Sequence, residues 1–401
     1  MQKQTDRPMP LEGIRVLDLG NFMAGPMAAT WLGDFGADVI KVEHPKGDGV
    51  RHWGQTKQGD PLYWKMLSRN KYCITLNLST PAGQSLLKRL VEKSDVLIEN
   101  FTPGTMAKWG LDYQSLAQVN PRIVMLSISA YGQTGPYSLR PGFGTLAEAM
   151  SGYAYINGQE DGPPTLPSFG LADGVAGLNG AFGVMLALRQ RDQSGKGQHV
   201  DTALYEPLLT ILGPQVIEYD QLGIVQQRLG SRLPFSAPRN VYQTKDGKWL
   251  SMSSSAQSVF ERTMHAIGKP HLIKDPRFLD NRLRGVNHLE IDAEIGQWCA
   301  LHTLDDAMRI LVEHEAAAAP VYSVAEVVED PHFTERGSVV SVDDPTLGPV
   351  RMQAPFPRLS DTPGRLRFTG PKLGAHNKAI YSSLLGLTDA DIEQLRAQGT
   401  I

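Results

Sequence analysis

Residues 11–43, LEGIRVLDLGNFMAGPMAATWLGDFGADVIKVE, decide the fold. Ile14-Arg-Val-Leu-Asp-Leu19 reads as a short strand, Gly25-Pro26 turns the chain, and the apolar stretch through Trp31-Leu32 reads as a helix. Asp38-Val-Ile-Lys-Val-Glu43 is then a second strand. Strands separated by a helix predict a βαβ unit and hence parallel pairing. The pattern continues downstream. Thr80-Pro81 opens a helix whose Leu86, Leu87, Leu90 and Val91 recur near the helical period, and Asp95–Asn100 and Arg122–Ile128 supply two more strands. The class is α/β with a mostly parallel sheet.

Helices are expected from about Thr145 and from Gly174 to near Arg189, the second stopped by the polar loop Gln193–Gln198. A long helix is expected from Ala203 to about Leu222, and the basic, proline-punctuated stretch Arg228–Pro238 reads as a linker. A strand at Lys248–Met252 precedes helices near 259–267, 289–302 and 304–314. Residues 337–358 read as β structure, and helices at 375–385 and 388–397 end the pattern, the last with Thr388 and Asp391 at capping-box spacing. The resulting domain boundaries are 1–225 for the N-terminal part of a large domain, 226–240 for a linker, 241–336 for a small domain and 337–401 for a segment returning to the large one.

Composition narrows the function classes. The 401 residues carry 39 Lys and Arg against 42 Asp and Glu, a net charge of −3, which lacks the basic footprint of a nucleic-acid binder. The apolar stretch Leu171–Leu188 is interrupted by Asp173, Asn179 and glycines, so no uninterrupted membrane-spanning run is expected. The N-terminal MQKQTDRPMPLEG has no apolar signal-peptide core, and Cys73 and Cys299 fit neither a disulfide framework nor a zinc ribbon. The ten histidines form no HExxH, so no metal site is expected. A cytoplasmic protein with no membrane or nucleic-acid partner is the expectation.

Several positions admit two readings. The turn after the first strand is where nucleotide-binding folds place phosphates, yet neither GxGxxG nor GxxxxGK[ST] occurs, so a structural turn outweighs NAD binding. Asp173 precedes a run of small and apolar residues. It reads as a helix N-cap or as a carboxylate nucleophile whose small neighbours Gly170, Ala172 and Gly174 admit a bulky thioester, and the two roles are compatible. Glu99-Asn100-Phe101-Thr-Pro-Gly104 is a strand-exit turn or a shelf for a nucleotide ring. Lys41, Lys71, Lys108 and Arg140 read singly as solvated charges and together as a phosphate-binding set.

In combination these segments resemble one family. Residues 11–43, RNKYCITLNLSTPAG (69–83), ENFTPGTMAKWGL (99–111), SAYGQTGPY (129–137), Pro141–Gly152, DGPPT (161–165) and GLADGVAG (170–177) are similar, in order and from about Leu11 to His376, to class III CoA-transferases. That group includes formyl-CoA transferase, the carnitine and bile-acid CoA-transferases and the related α-methylacyl-CoA racemases. The resemblance implies a Rossmann-like large domain, a smaller α+β domain and a homodimer of interlocked ring-like chains. It implies no tightly bound cofactor, with coenzyme A and acyl-CoA as substrates beside small carboxylic acids.

The resemblance also carries residue roles. Asp173 falls on the family's nucleophile, which passes through a mixed anhydride and an aspartyl-CoA thioester. CoA contacts fall on Phe22, Met23, Ala24, His44, Leu76, Asn100, Phe101 and Lys108. His44 stands where some relatives have arginine and Ser79 where they have lysine, so Arg69, Lys71 or Arg140 are expected to complete the diphosphate clamp. Met23 replaces the glutamine of formyl-CoA transferase, and Ser253-Ser-Ser-Ala-Gln257 replaces its glycine-rich flap, which argues against the oxalate–formate pair. Phe143, Ser254, Ser255 and Gln257 then border the acid. Gly142-Phe143-Gly144 lacks the histidine that racemases use, so racemisation lacks its base. The expected reaction is CoA transfer to a small acid, a dicarboxylate such as succinate, itaconate, mesaconate or glutarate, with Arg228, Arg232 and Arg239 as candidate cations. A racemase or isomerase of the same fold and a catalytically silent CoA-binding protein are the alternatives.

Overall fold

Strands β1 (Arg15–Asp18), β2 (Asp38–Glu43), β3 (Lys71–Thr75), β4 (Val96–Glu99), β5 (Val124–Ser129) and β6 (His199–Ala203) form one sheet in a computed structural model that describes residues 8–401. The order is β3-β2-β1-β4-β5-β6 and every pairing is parallel, from Arg15 opposite Asp38 to Ser129 opposite Ala203. This is the doubly wound order, in which the chain reverses direction across the sheet between β1 and β4. Ligand crevices open there, outside the carboxyl ends of the strands. The first seven residues, part of the segment expected to lack a signal core, lie outside the described residues.

Both sheet faces are covered, which is why the strands are nearly continuous apolar runs. Val16, Val39, Val124 and Leu126 pack under α1 (Ala24–Asp34) and α4 (Leu171–Ser194). Leu17, Ile40, Ile74 and Leu97 pack under α2 (Pro81–Val91) and the helix Asn377–Leu385. Local chemistry sets the helix starts. Thr80 accepts a hydrogen bond from Gly83 N at 3.1 Å with Pro81 in the first turn, and Thr388 and Asp391 form the expected capping box.

The return of the C-terminal segment to this sheet is held by polar contacts as well as packing. Tyr381 OH donates to Thr75 O at 2.7 Å, and Asn377 Nδ2 donates to Thr75 Oγ1 at 2.7 Å. By contact density the chain forms two compact units: residues up to Tyr153 with Leu166–Val216 and Glu335–Ile401, and Ala154–Thr165 with Ile217–Thr334. The second unit is built on the antiparallel strands Arg239–Gln243, Trp249–Ser253 and Ala318–Pro320. Its core joins Leu250 and Met252 to Phe260, Ile291, Ile295 and Leu311 from its helices. Residues 226–240 fall within this unit, where Leu233 and Ser236 form a β-bridge.

Three expectations change. The sixth strand, His199–Ala203, lies between the expected loop 193–198 and the expected helix from Ala203 and takes in the first residue of that helix; only Thr202 and Ala203 are buried, so this sheet-edge strand is not a buried apolar run. The helix expected over 203–222 breaks into Tyr205–Ile211 and Gln215–Leu222, because Gly213 takes a φ of +81° and Pro214 follows. Asp173, Asn179 and the glycines do not interrupt α4, whose 24 residues are long and apolar enough to cross a membrane by length and composition. Ala172, Ala176, Gly177, Gly180 and Val184 are nevertheless buried within the protein. Glycine is required at 177, where a Cβ would stand 2.8 Å from Ala24 O of the crossing helix.

Candidate active site around Asp173

Asp173 is the third residue of α4. The N-cap is Gly170 and no side chain caps the helix, so the capping reading of Asp173 does not hold. Among the described residues no hydrogen bond reaches its carboxylate. Burial first, and then the negative charge of Glu148, push its pKa up to about 6. Glu148 lies on α3 (Gly144–Met150), is buried, and accepts a hydrogen bond from Ala172 N at 3.1 Å. The result is a half-buried carboxylate, ionised above pH 6 yet poorly solvated, at the positive end of a long helix.

Two cavities meet at this carboxylate. One, of about 300 Å³, is walled by Asn21, Phe22, Ala24, Asn100, Phe101 and Ser129, with Phe143 and Asp173 at one side. It opens where the turns after β1 and β4 face each other, at the topological reversal of the sheet. The turns are tied together: Asn100 Oδ1 accepts from Asn21 N and Asn100 Nδ2 donates to Asn21 O, both at 2.7 Å. The second cavity, of about 620 Å³, shares Phe22, Phe143 and Asp173 and adds Met23, Trp53, Phe169 and Glu148. Its polar lining is Thr145, Glu148, Ser168 and Asp173, with no lysine or arginine.

Of the residues singled out in the sequence, Phe22, Met23, Ala24, Asn100, Phe101 and Phe143 line one or both cavities with Asp173. Phe101 stands edge-on to Trp109 at 5.3 Å. Lys108 is exposed on the next short helix, Thr105–Lys108. His44 is exposed, its Nδ1 accepting from Lys46 N at 3.1 Å, and Arg140 is exposed with its guanidinium 3.6 Å over the Tyr137 ring. Leu76 is 1% exposed in the core beneath α2 and lines neither cavity.

Three cations change role. Lys41 and Lys71 are fully buried, and Arg69 is buried in a bidentate pair with Asp34 at 2.7–3.2 Å. Arg69 and Lys71 therefore cannot form a solvent-facing diphosphate clamp, which leaves Arg140 of the three. The candidate acid-recognition arginines are also engaged. Arg228 donates to Gly162 O and Tyr155 O, Arg232 pairs with Glu160 at 2.5 Å, and Arg239 donates at 2.5 Å to Ser231 O.

Within the second unit, Ser254 is fully buried and shares a hydrogen bond of 2.8 Å with Thr263 Oγ1. Ser255 O and Gln257 Oε1 both accept from Arg284, at 2.6 and 2.8 Å. Sequence reasoning missed Glu148, Trp53 and Tyr63. The Tyr63 hydroxyl lies 3.1 Å from Met23 Sδ, and its pKa is raised by burial and by Asp173. The one available signal was Glu148, an acid set beside Gly144 and Ala147 on the small-residue face of a short helix.

The profile of CoA-transferase family III matches residues 11–377. The chain belongs to that family. Among curated members it is 44% identical to the succinyl-CoA–D-citramalate CoA-transferase of Chloroflexus aurantiacus over 396 residues, covering 98% of each chain. It is 42% identical to the succinyl-CoA–L-malate CoA-transferase beta subunit of the same organism, covering 99% of each. Among solved structures, a CaiB/BaiF family protein from Brucella suis superposes with a TM-score of 0.84 at 34% identity, covering 94% of this chain and all of that one. The family III assignment agrees with the resemblance carried by the motifs at 11–43, 99–111 and 170–177. This family III member is an enzyme of the CoA-transferase class, acting on CoA thioesters.

Proposed function

We propose that this family III CoA-transferase moves CoA from succinyl-CoA to a short dicarboxylic acid such as citramalate or malate, with Asp173 as nucleophile. The observation that carries this reading is the position of Asp173 in the wall common to both cavities. An Asp173 oxygen attacks the thioester carbonyl and expels CoA thiolate, leaving an aspartyl–succinyl anhydride. The thiolate then attacks Cγ of Asp173 and releases succinate, leaving an aspartyl-CoA thioester. The acceptor carboxylate attacks the same Cγ, expelling thiolate and forming a second anhydride. Attack of the thiolate on the acceptor carbonyl releases the new acyl-CoA and restores the carboxylate. Protons and electrons balance without a cofactor.

The smaller cavity takes the thioester end of CoA beside Asn100 and Phe101, and the exposed side chains of Lys108, Arg140 and His44 are the candidate contacts for its phosphates. The larger cavity takes the acids. Because it offers no cation, the Thr145 and Ser168 hydroxyls are the donors available to a distal carboxylate.

Support for the homodimer comes from α4. Leu178, Phe182 and Leu186, four residues apart, are 59%, 60% and 55% exposed in one chain, a stripe suited to a second copy. Sedimentation should then give about twice the 43.9 kDa chain mass. A cytoplasmic location accords with two free, buried thiols, Cys73 and Cys299.

The direct test is peptide mass spectrometry after incubation with succinyl-CoA and borohydride reduction. Conversion of the Asp173 carboxyl to an alcohol supports the thioester intermediate. Full transferase turnover by Asp173→Asn would overturn it.

A further inference from the structure

Phe22, which borders both cavities, has a φ of +60°, a left-handed conformation that a bulky residue keeps only where its surroundings impose it. Those surroundings are a network of buried charges whose hydrogen bonds end on one short turn. Asp18 Oδ1 accepts from Gly20 N at 3.0 Å, while Lys41 Nζ donates to Gly20 O. Asp48 Oδ1 accepts from Phe22 N at 3.2 Å and from Val50 N at 3.0 Å. With Asn100 on both polar atoms of Asn21, each backbone polar group from Gly20 N to Phe22 N has a side-chain partner. The Phe22 ring lies 5.0 Å from Trp53 and closes over Gly49, where a Cβ would stand 2.6 Å from it.

The charges are matched. Lys41 Nζ lies 3.0 Å from Asp48 Oδ2 and 3.9 Å from Asp18 Oδ1. Lys71 Nζ lies 2.8 Å from Asp18 Oδ2 and 2.6 Å from Pro26 O, in the first turn of α1, which follows. Arg51 and Glu43 form a bidentate pair, and Glu43 also accepts from Asp48 N at 3.0 Å. Apolar residues of equal volume commonly stabilise a fold at least as well as buried ion pairs, so a core alone does not call for this arrangement. Neither Lys41 nor Asp48 lines a cavity.

We propose that Lys41 and Asp48 are positioning residues for the CoA-ester cavity: together they hold Gly20 and Phe22 so that the Phe22 and Met23 side chains stand in the cavity walls before substrate arrives. The inference rests on reading the cavities at Asp173 as the acyl-CoA site. Preorganisation of this kind acts on binding, because a turn ordered in advance loses less freedom when the ester docks.

Two double variants test it, Lys41→Met with Asp48→Ala and Lys41→Met with Asp48→Asn. Each removes one cation and one anion and leaves Lys71–Asp18 and Arg51–Glu43 as complete pairs, so no buried charge is stranded. The alanine pair frees both Gly20 O and Phe22 N, whereas the asparagine pair keeps an acceptor for Phe22 N. The expected result is a KM for succinyl-CoA raised at least about tenfold in the alanine pair, since it loses two hydrogen bonds to charged groups and one alone is worth about that factor. The asparagine pair should show a smaller rise, and kcat should change less than KM in both.

A purely structural role would lower the melting temperature and leave KM alone. Equal KM values in the two variants, or wild-type KM in either folded one, would overturn the proposal. If only the asparagine pair folds, its raised KM, from the freed Gly20 O, carries the test. Asp173→Asn is measured alongside. Turnover by that variant sinks the reading of the site, whereas its inactivity with unaltered KM in the doubles sinks the positioning role alone.

Discussion

Asp173 and Gly144 compete for one volume: a Cβ built on Gly144 would overlap the Asp173 Oδ2. Gly144 opens α3, the helix that carries Glu148, so the carboxylate is seated against glycine backbone on one side and the start of α4 on the other. No other side chain at 144 is compatible with this seat.

Gly144→Ala should therefore fold normally but displace the nucleophile. A displacement of about 1 Å costs roughly 10²-fold in rate, so kcat/KM with succinyl-CoA should fall by about that factor at near-constant melting temperature. Activity within a few-fold of wild type would show that Asp173 does not act from this position.

The pH profile follows from the raised pKa of Asp173. Transfer needs the ionised carboxylate, so the rate should fall as pH drops through about 6. Burial is the larger cause of the shift and Glu148 the smaller, so Glu148→Gln should move the acid limb downward without returning it to the ordinary carboxylate range. The amide oxygen can still accept from Ala172 N, which keeps α4 anchored. An unmoved limb would mean another group controls the profile.

The same shift makes Asp173 a burden on the fold. Its folded pKa lies above the unfolded one, so stability is lost as pH rises between about 4 and 6, by at most roughly 3 kcal/mol. Asp173→Asn should melt at a higher temperature than wild type at pH 8 and at a similar one near pH 4. Thermal scans at both values check the sign.

Acid recognition through hydroxyls is tested at Ser168 and Thr145. Alanine at either should raise KM several-fold for a dicarboxylate acceptor and for succinyl-CoA, whose distal carboxylate meets the same hydroxyls, since each removes about one hydrogen bond, and should leave KM for an acyl-CoA without a second carboxylate nearly unchanged. An equal rise for the acyl-CoA that lacks a second carboxylate would place these hydroxyls on the thioester instead.

Phe143 bears on the isomerase alternative. It lines both cavities where a proton-transferring histidine would be needed, so a 2-methylacyl-CoA held in deuterium oxide without acceptor acid should gain no α-deuterium. Measurable incorporation would point to an acid–base pair and to racemisation.

Much of this protein is legible in the order of its residues. The runs at 14–19, 38–43, 95–100 and 122–128 have apolar centres, Val16-Leu17, Val39-Ile40, Val96–Ile98 and Ile123–Leu126, because the sheet is covered on both faces, so local pattern reports parallel β structure. The linked motifs from 11–43 to 170–177 carried the family. Where the pattern weakens, so does the reading: His199–Ala203 is exposed at His199 and Asp201 on the sheet edge, and Gly213-Pro214 is a helix-breaking dipeptide that a reading of one long helix passes over.

The sequence by itself determined the α/β class, the helices and strands of strong period, and the family, because these depend on residues near one another in the chain. Tertiary structure alone decided which charges face solvent. Lys41, Arg69 and Lys71 look like surface cations, yet folding brings Asp48, Asp34 and Asp18 beside them and closes the core over each pair. It also decided that Glu148, 25 positions from Asp173, raises its pKa, and that Gly144 leaves room for its carboxylate. Desolvation and charge proximity are set by distances across elements, which residue order does not contain.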